Sequence, residues 1–467
     1  ASHPTIKIVG TFSAVYRNLI LGDNLEEFLK KIRPILEYIP EVQRPIREIT
    51  FKEKLKWTAL VLIVYFLMGT IDIYTAGATI PAQFEYLQTI FASKIGTLIT
   101  LGIGPIVTAG IIMQLLVGSE LIKLDLSKPE NRASFQGLQK LFSIFLCFME
   151  AVMFVSVGAL GALSGSVMWL VIAQIALGAI LIIYLDEIVS RYGIGSGIGL
   201  FIAAGVSQTI FVGALGSGGY LWKFFDAMVQ GAIGTAFEFL LPILGTIIVF
   251  LIVVYAESMR VEIPLAHGRV RGAVGKYPIK FIYVSNLPVI LAMALFANIQ
   301  LIGLMVQSKL GYPLLGSFVD GRAVSGIAYY FATPYGLTSV LADPIRAIIY
   351  TILMIIFCVI FGMFWVETSG LDAKSMAKKM GSMNMAIKGF RKSNKSIENR
   401  LKRYILPITV MSSAFVGLLA SGADFMGALG GGTGVLLTVS IVYRMYEQLV
   451  QEQVSELHPA LGKFLKK

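Results

Sequence analysis

The sequence predicts an all-α polytopic membrane protein of ten transmembrane helices, and three observations carry that prediction. Of 467 residues, 56% are hydrophobic and only 14% charged, against about 25% charged in an ordinary soluble domain. The apolar residues fall in runs of roughly 20, the length of helix that spans a bilayer. Lysine and arginine are confined to alternate loops, the asymmetry that orients a polytopic chain.

Before the first run, "NLEEFLKKIRPILEYI" (24–39) has helical apolar spacing with basic residues opposite. It suits a helix lying on a membrane surface, or one packed on its own protein. No cleavable leader is expected, since the first strong apolar run begins only at Trp57. The ten spans are 57–76, 97–117, 141–163, 167–185, 198–216, 238–256, 281–307, 344–366, 404–422 and 425–447. An even number places both termini on one side. Of the 39 Lys and Arg, only Lys94, Lys223, Lys309, Arg322 and Arg346 fall on the other side, so both termini and the large basic loops are assigned to the cytoplasm.

The segment after the first span, "AGATIPAQFEYLQTIFASKIG" (76–96), carries Pro81, Glu85 and Lys94 and is too short and polar to cross. Irregular segments at membrane depth survive only when buried in protein or lining a cavity. The second span follows with Pro105, three glycines and Gln114. A half-helix ahead of a Gly/Pro-rich span marks a pore lining, in channels and secondary transporters alike. Two halves of five spans, 57–217 and 218–447, would have opposite orientations, although they share no evident sequence similarity.

The interior lacks ionisable groups. Glu150 alone lies well inside a run, while Asp72, Asp186, Glu187, Glu257, Glu367, Asp424 and Arg444 sit at run ends, within reach of headgroups or water. A buried carboxylate is costly and kept mainly for function. One carboxylate supplies neither an ion relay nor a protease pair; pairing with a neighbouring helix suits Glu150 better than an ion site. Cys147 and Cys358 lie in separate runs and His3, His267 and His458 outside them, which predicts no disulfide, metal site or cofactor. No GxxxxGK[ST] loop is present to bind a nucleotide, and no catalytic residues are expected.

Ile103 and Val107, four apart, share a helix face, as do Ile198 and Ile202. Such residues either pack and face lipid or gate a pore by closing around dry side chains. "YGIGSGIGL" (192–200) is not a GxGxxG phosphate loop. It is a tight reversal between the fourth and fifth spans that would set the rotation of the fifth. In the loop 257–280, "VEIPLAHG" and "AVGKYPIK" predict a β-hairpin bearing Arg260, Arg269, Arg271, Lys276 and Lys280. The loop 367–403 is also strongly basic. Such loops bind anionic lipid, but their length and density also suit a polyanion such as RNA.

These features resemble the SecY family of translocon channel subunits, in detail its archaeal branch. The resemblance is carried by "LGIGPIVTAGIIMQLL" (101–116), "YLDEIVSRYGIGSGIGLFIAAG" (184–205), "MRVEIPLAHGRVRGAVGKYPIKFIYVSNLPVI" (259–290) and "GALGGGTGVLLTVSIVYRMYEQL" (427–449). It runs from about Leu29 to Lys467; residues 1–28 are an extension outside it. It divides the chain into a cytoplasmic amphipathic segment (29–56), the two halves and a cytoplasmic tail (448–467). The resemblance implies a central pore with a re-entrant plug at 76–93, including Ile80, Pro81, Phe84 and Leu87. It implies a pore ring of Ile103, Val107, Ile198, Ile202, Ile290 and Leu437, with Leu436 the near alternative to the last. A lateral gate would open between spans two and three and spans seven and eight, with Gln114 and Asn286 as its polar residues. Arg269, Arg271, Arg391, Lys392 and Arg400 would dock the ribosome and its RNA. Further implied partners are small single-span subunits of the SecE/gamma and beta types, nascent secretory and membrane polypeptides, and the lipid of the cytoplasmic membrane. The implied function is translocation of secretory proteins and insertion of membrane proteins. An ion-coupled secondary transporter with an inverted repeat is the alternative, and the missing buried charges count against it.

Overall fold

The structure, a computed structural model, describes residues 40–43, 45–47, 49–74, 93–118, 129–156, 160, 165–267, 274–284, 287–319, 322–382, 385–387 and 394–457. Each predicted span falls on a helix. The first five are α1 (Phe51–Met68), α2 (Gly104–Gly118), α3 (Pro129–Ser156), α4 (Ser166–Tyr192) and α5 (Gly197–Leu215). After the short α6 (Tyr220–Val229) come α7 (Ile233–Ser258) and a hairpin of β1 (Arg260–His267) and β2 (Val274–Lys280). Then follow α8 (Leu287–Leu310), β3 (Phe318–Val319), β4 (Arg322–Ala323), α9 (Ile327–Phe331), α10 (Leu337–Ala342) and α11 (Pro344–Thr368). The chain continues with α12 (Ala373–Ser382), β5 (Met385–Ile387), α13 (Asn394–Phe425) and α14 (Gly432–Leu457).

Among the described residues, seven helices are long and apolar enough to cross a membrane: those of spans three to nine. Several helices depart from their expected limits: α3 begins at Pro129 rather than 141 and α13 at Asn394 rather than 404, while those of spans one, two and ten differ for identifiable physical reasons. α1 starts earlier, at Phe51, because Glu53 accepts the Thr50 N–H at 3.3 Å and caps its first turn. It stops at Gly69, and the chain turns back to form a bridge between Asp72 and Thr97. Residues 97–103 of the second span are turns rather than helix, with Gly96 and Gly102 at φ of 89° and 54°. Helix begins only at Gly104, so Pro105 occupies the first turn, where its missing N–H costs nothing. At 15 residues, α2 is about 22 Å long, short of the hydrocarbon thickness. The tenth helix starts at Gly432 rather than 425, because Gly427, Gly430 and Gly431 all take positive φ.

Lipid-type packing is plain in α7, where Phe237, Leu241, Leu244, Ile247, Ile248 and Leu251 are exposed. A helix apolar all round belongs in a bilayer. Elsewhere, small residues let backbones approach closely. A Cβ on Gly178 of α4 would lie 1.8 Å from the Leu98 carbonyl oxygen, inside the irregular run ahead of α2. Gly178→Ala is therefore expected to destabilise the protein by about 1–3 kcal/mol, the usual cost of overpacking, read as a lower thermal midpoint in detergent. An unchanged midpoint would contradict this close approach.

The hairpin forms where expected, with Arg260 opposite Lys280 and Ala266 opposite Val274. The second basic loop does something the sequence did not announce. Its β5 pairs with β1, giving the order β2-β1-β5 and joining both basic loops in one antiparallel sheet. α12 packs on α13 beside it, through Met376, Ala377, Met380, Ile397 and Leu401.

At the other ends of α8 and α11, residues 311–319 and 322–343 form a cap. Gln307 holds Phe318 through two hydrogen bonds, at 2.6 and 3.0 Å. Asp343 accepts the Arg346 N–H and the Tyr329 O–H, which hold its carboxyl below the usual range. Between sheet and cap, one apolar core runs through both halves, with Phe296, Phe331, Tyr350 and Phe357 packed edge to face at its centre.

Candidate functional site

The resemblance points to a ring of branched side chains, and the helices bring its members into that core. Ile103, Val107, Ile202, Ile290 and Leu437 are at most 6% exposed and belong to one buried apolar cluster, against which the half-buried Ile198 packs. Leu436 is buried in the same cluster. Each lies just ahead of its helix or within its first two turns, on α2, α5, α8 or α14. These helices come from both halves, and α5 packs on α14 as α2 packs on α8.

The start of α5 is fixed by the glycine stretch. Gly195 takes φ of 77°, and the Ile194 N–H donates to Thr58 Oγ1 of α1 at 3.0 Å. Asp186 Oδ1 accepts the Ile198 N–H at 2.8 Å. The end of α4 is anchored separately: Glu187 pairs with Lys140 at 2.8 Å and with Arg191 at 2.7 Å, and Arg191 reaches Glu41 at 3.1 Å. The Tyr192 hydroxyl donates to the Gln43 carbonyl and Lys140 Nζ to the Pro40 carbonyl, so residues 40–43 are strapped across α3 and the end of α4.

At the seam between halves, α2 packs on α3, α8 and α11. Gln114 is 8% exposed and its Oε1 has no hydrogen-bond partner among the described residues. Asn286 lies outside the described residues, and a residue the sequence reading passed over crosses this seam instead. Asn298 Nδ2 of α8 donates to Thr108 Oγ1 of α2 at 3.1 Å. Glu150 of α3, 8% exposed, lies against the same hydroxyl. Three helices thus meet in one small polar cluster, in which Glu150 Oε1 has no hydrogen-bond partner among the described residues. The available signal was an amide mid-span in "LFANIQL"; nothing local showed that it faced Thr108.

Two expectations need correction. Asp424 and Glu257 are not at a wet boundary: they are 3% and 2% exposed. Asp424 is enclosed because it caps α14, through Thr433 N–H and O–H at 3.2 and 3.0 Å. Glu257 packs beside Ser440 and Arg444 of α14. Within the hairpin's basic cluster, Arg260 and Lys280 both bind Glu447 of α14, so they tie the hairpin's base to that helix rather than presenting charge. Arg400, in the second turn of α13, lies with its guanidinium 5.4 Å from the Tyr404 ring centroid. Arg269, Arg271, Arg391 and Lys392 are outside the described residues, as are Ile80, Pro81, Phe84 and Leu87 and nearly all of the plug segment.

A sequence profile of the SecY family matches residues 97–446. The chain belongs to the SecY family. Among its relatives, the protein translocase subunit SecY of Methanococcus vannielii is 74% identical over 437 residues, covering 94% of this chain and 100% of the relative. Solved SecY-type channels have the same fold. One, at 72% identity, a TM-score of 0.85 and 92% of this chain against 99% of that one, is described by its plug domain, which stabilises the closed state and maintains a membrane seal. Another is Sec61 in a canine ribosome–channel complex, at 72% identity and a TM-score of 0.83, with the same coverage. The multi-pass helical architecture read from the sequence is that of the SecY fold, and the transporter alternative finds no support among these relatives.

Proposed function

We propose that this chain is the central pore subunit of a protein-conducting channel in the cytoplasmic membrane. It passes unfolded secretory chains outward and releases apolar segments sideways into lipid. What carries this reading is the meeting of branched, uncharged side chains from both halves in one dry cluster. An ion entering such a ring would lose its hydration without gaining a partner, so a closed ring holds ions back. Ile103, Val107, Ile198, Ile202, Ile290 and Leu437 form the gasket, and residues 76–93 supply the plug that covers it.

The lateral gate lies between α2 and α3 on one side and α8 and α11 on the other, with Gln114 and Asn286 assigned to it from sequence. The Asn298–Thr108 bond supports that placement. Interhelical hydrogen bonds in membranes contribute only about 0.6–1.7 kcal/mol, weak enough for an arriving apolar segment to displace. The sheet and its basic loops face the cytoplasm, with both termini, and dock the ribosome through Arg269, Arg271, Arg391, Lys392 and Arg400. Small single-span subunits cover exposed apolar faces of the bundle. The chain is not an enzyme in this reading: the driving force comes from the partner that feeds the polypeptide.

Photocrosslinking tests the path. A probe replacing Ile202 is expected to capture a stalled secretory chain, whereas one at Leu251, exposed on α7, captures lipid instead. Equal capture of the chain at both positions would overturn the central route.

A further inference from the structure

The fourth and fifth spans and the ninth and tenth are joined by the same device. At the first turn, Asp186 of α4 accepts the Ile198 N–H at 2.8 Å. At the second, Asp424 of α13 accepts the Thr433 N–H at 3.2 Å and its hydroxyl at 3.0 Å. In each case the carboxylate hangs from the end of one helix and caps the first turn of the next. In each case a glycine leads the capped helix, because nothing larger fits. A Cβ on Gly197 would lie 2.5 Å from Asp186 Cα, and one on Gly432 would lie 2.3 Å from the Asp424 nitrogen.

The two turns are also reciprocal in space. Ahead of and within the start of α5, Gly195 and Gly199 pack on Met445 and Ile441 of α14. Ahead of α14, Gly430 packs on Val206 and Ile210 of α5, and Leu429 on Gly213. The glycine turn of each helix thus rests on the body of the other, the mutual arrangement expected of an inverted repeat. The capping intervals differ, twelve residues in one half and nine in the other, which hides the correspondence in sequence.

We propose that Asp186 and Asp424 are a symmetry-related pair of positioning residues that fix the rotation of α5 and α14 and so keep Ile202 and Leu437 turned into the closed pore. Each carboxylate holds an amide group that has no intrahelical acceptor. Without it, the first turn of the helix bearing a gasket residue is released from its predecessor. The proposal rests on the pore reading above, and its test separates the two.

The full chain is reconstituted in liposomes with Ile202→Cys as a probe and treated with a membrane-impermeant maleimide. Cys147 and Cys358, both 0% exposed, stay silent. Asp186→Ala is expected to raise the labelling rate about tenfold, on the scale of a lost helix cap. Asp186→Asn, whose amide oxygen still accepts, stays within about twofold of the parent. Asp424→Ala and Asp424→Asn, read at Leu437→Cys, behave alike. If Asp186→Ala does not accumulate, Asp186→Ser, whose hydroxyl is too short to reach the amide, replaces it with the same expectation. Unchanged labelling in the alanine or serine variant, or an asparagine variant that labels as fast, overturns the positioning role. Conductance of a glycine-substituted gasket, measured alongside, judges the pore reading independently of either labelling result.

Discussion

Replacing Ile103, Ile198 and Ile202 together with glycine is expected to raise the resting ion conductance of the reconstituted channel by at least about tenfold, the effect of lowering the barrier by roughly 1.4 kcal/mol. Ile103 and Ile202 are fully buried in the apolar core and Ile198 packs against it, so a ring built of these residues would offer water few polar partners. Removing three branched side chains leaves a gap wide enough for water, and hydrated ions follow. Because the residues sit on α2 and α5, the loss opens one side of the ring while Ile290 and Leu437 hold the other. Unchanged conductance in planar bilayers would remove the gasket assignment.

Charge reversal at Arg391, Lys392 and Arg400 is expected to weaken ribosome binding by at least roughly a hundredfold at low salt, taking about 1 kcal/mol for each positive charge lost at a polyanionic partner. The slope of log affinity against log salt should fall by about two to three, since three fewer phosphates would be neutralised. Co-sedimentation with ribosomes across a salt series reads both quantities. Undiminished binding would exclude docking through the second loop. The pairing of β5 with β1 gives this prediction a structural edge. Strands from both basic loops share one sheet, whose base is tied to α14 through Glu447.

How much of this was legible depended on the range of the interaction. Span positions, the hairpin and the turn at Gly193–Gly197 follow from local composition and spacing, and the structure carries all three. The truncation of α2 was half legible: Pro105 and its glycines announced a loosened backbone, but not that the irregular part lay ahead of the proline. The Asn298–Thr108 bond was not legible, because its partners are 190 residues apart and each alone reads as a packing polar residue. The burial of Asp424 was misread for a related reason. A carboxylate at the end of an apolar run normally reaches water, and only the fold of the following glycine turn encloses it.

The sequence by itself determined that the chain is a multi-pass membrane protein, where its apolar helices lie and which loops carry its positive charge. Transfer to a bilayer depends on the composition of each segment taken alone, so those properties need no neighbours. Tertiary structure alone decided that the two basic loops share a sheet, that Arg260 and Lys280 pair with Glu447, and that Asp186 and Asp424 each cap the helix that follows. Those facts rest on hydrogen bonds, ion pairs and glycine contacts between segments distant in the chain. Such contacts depend on distance and direction in space, which local pattern does not encode.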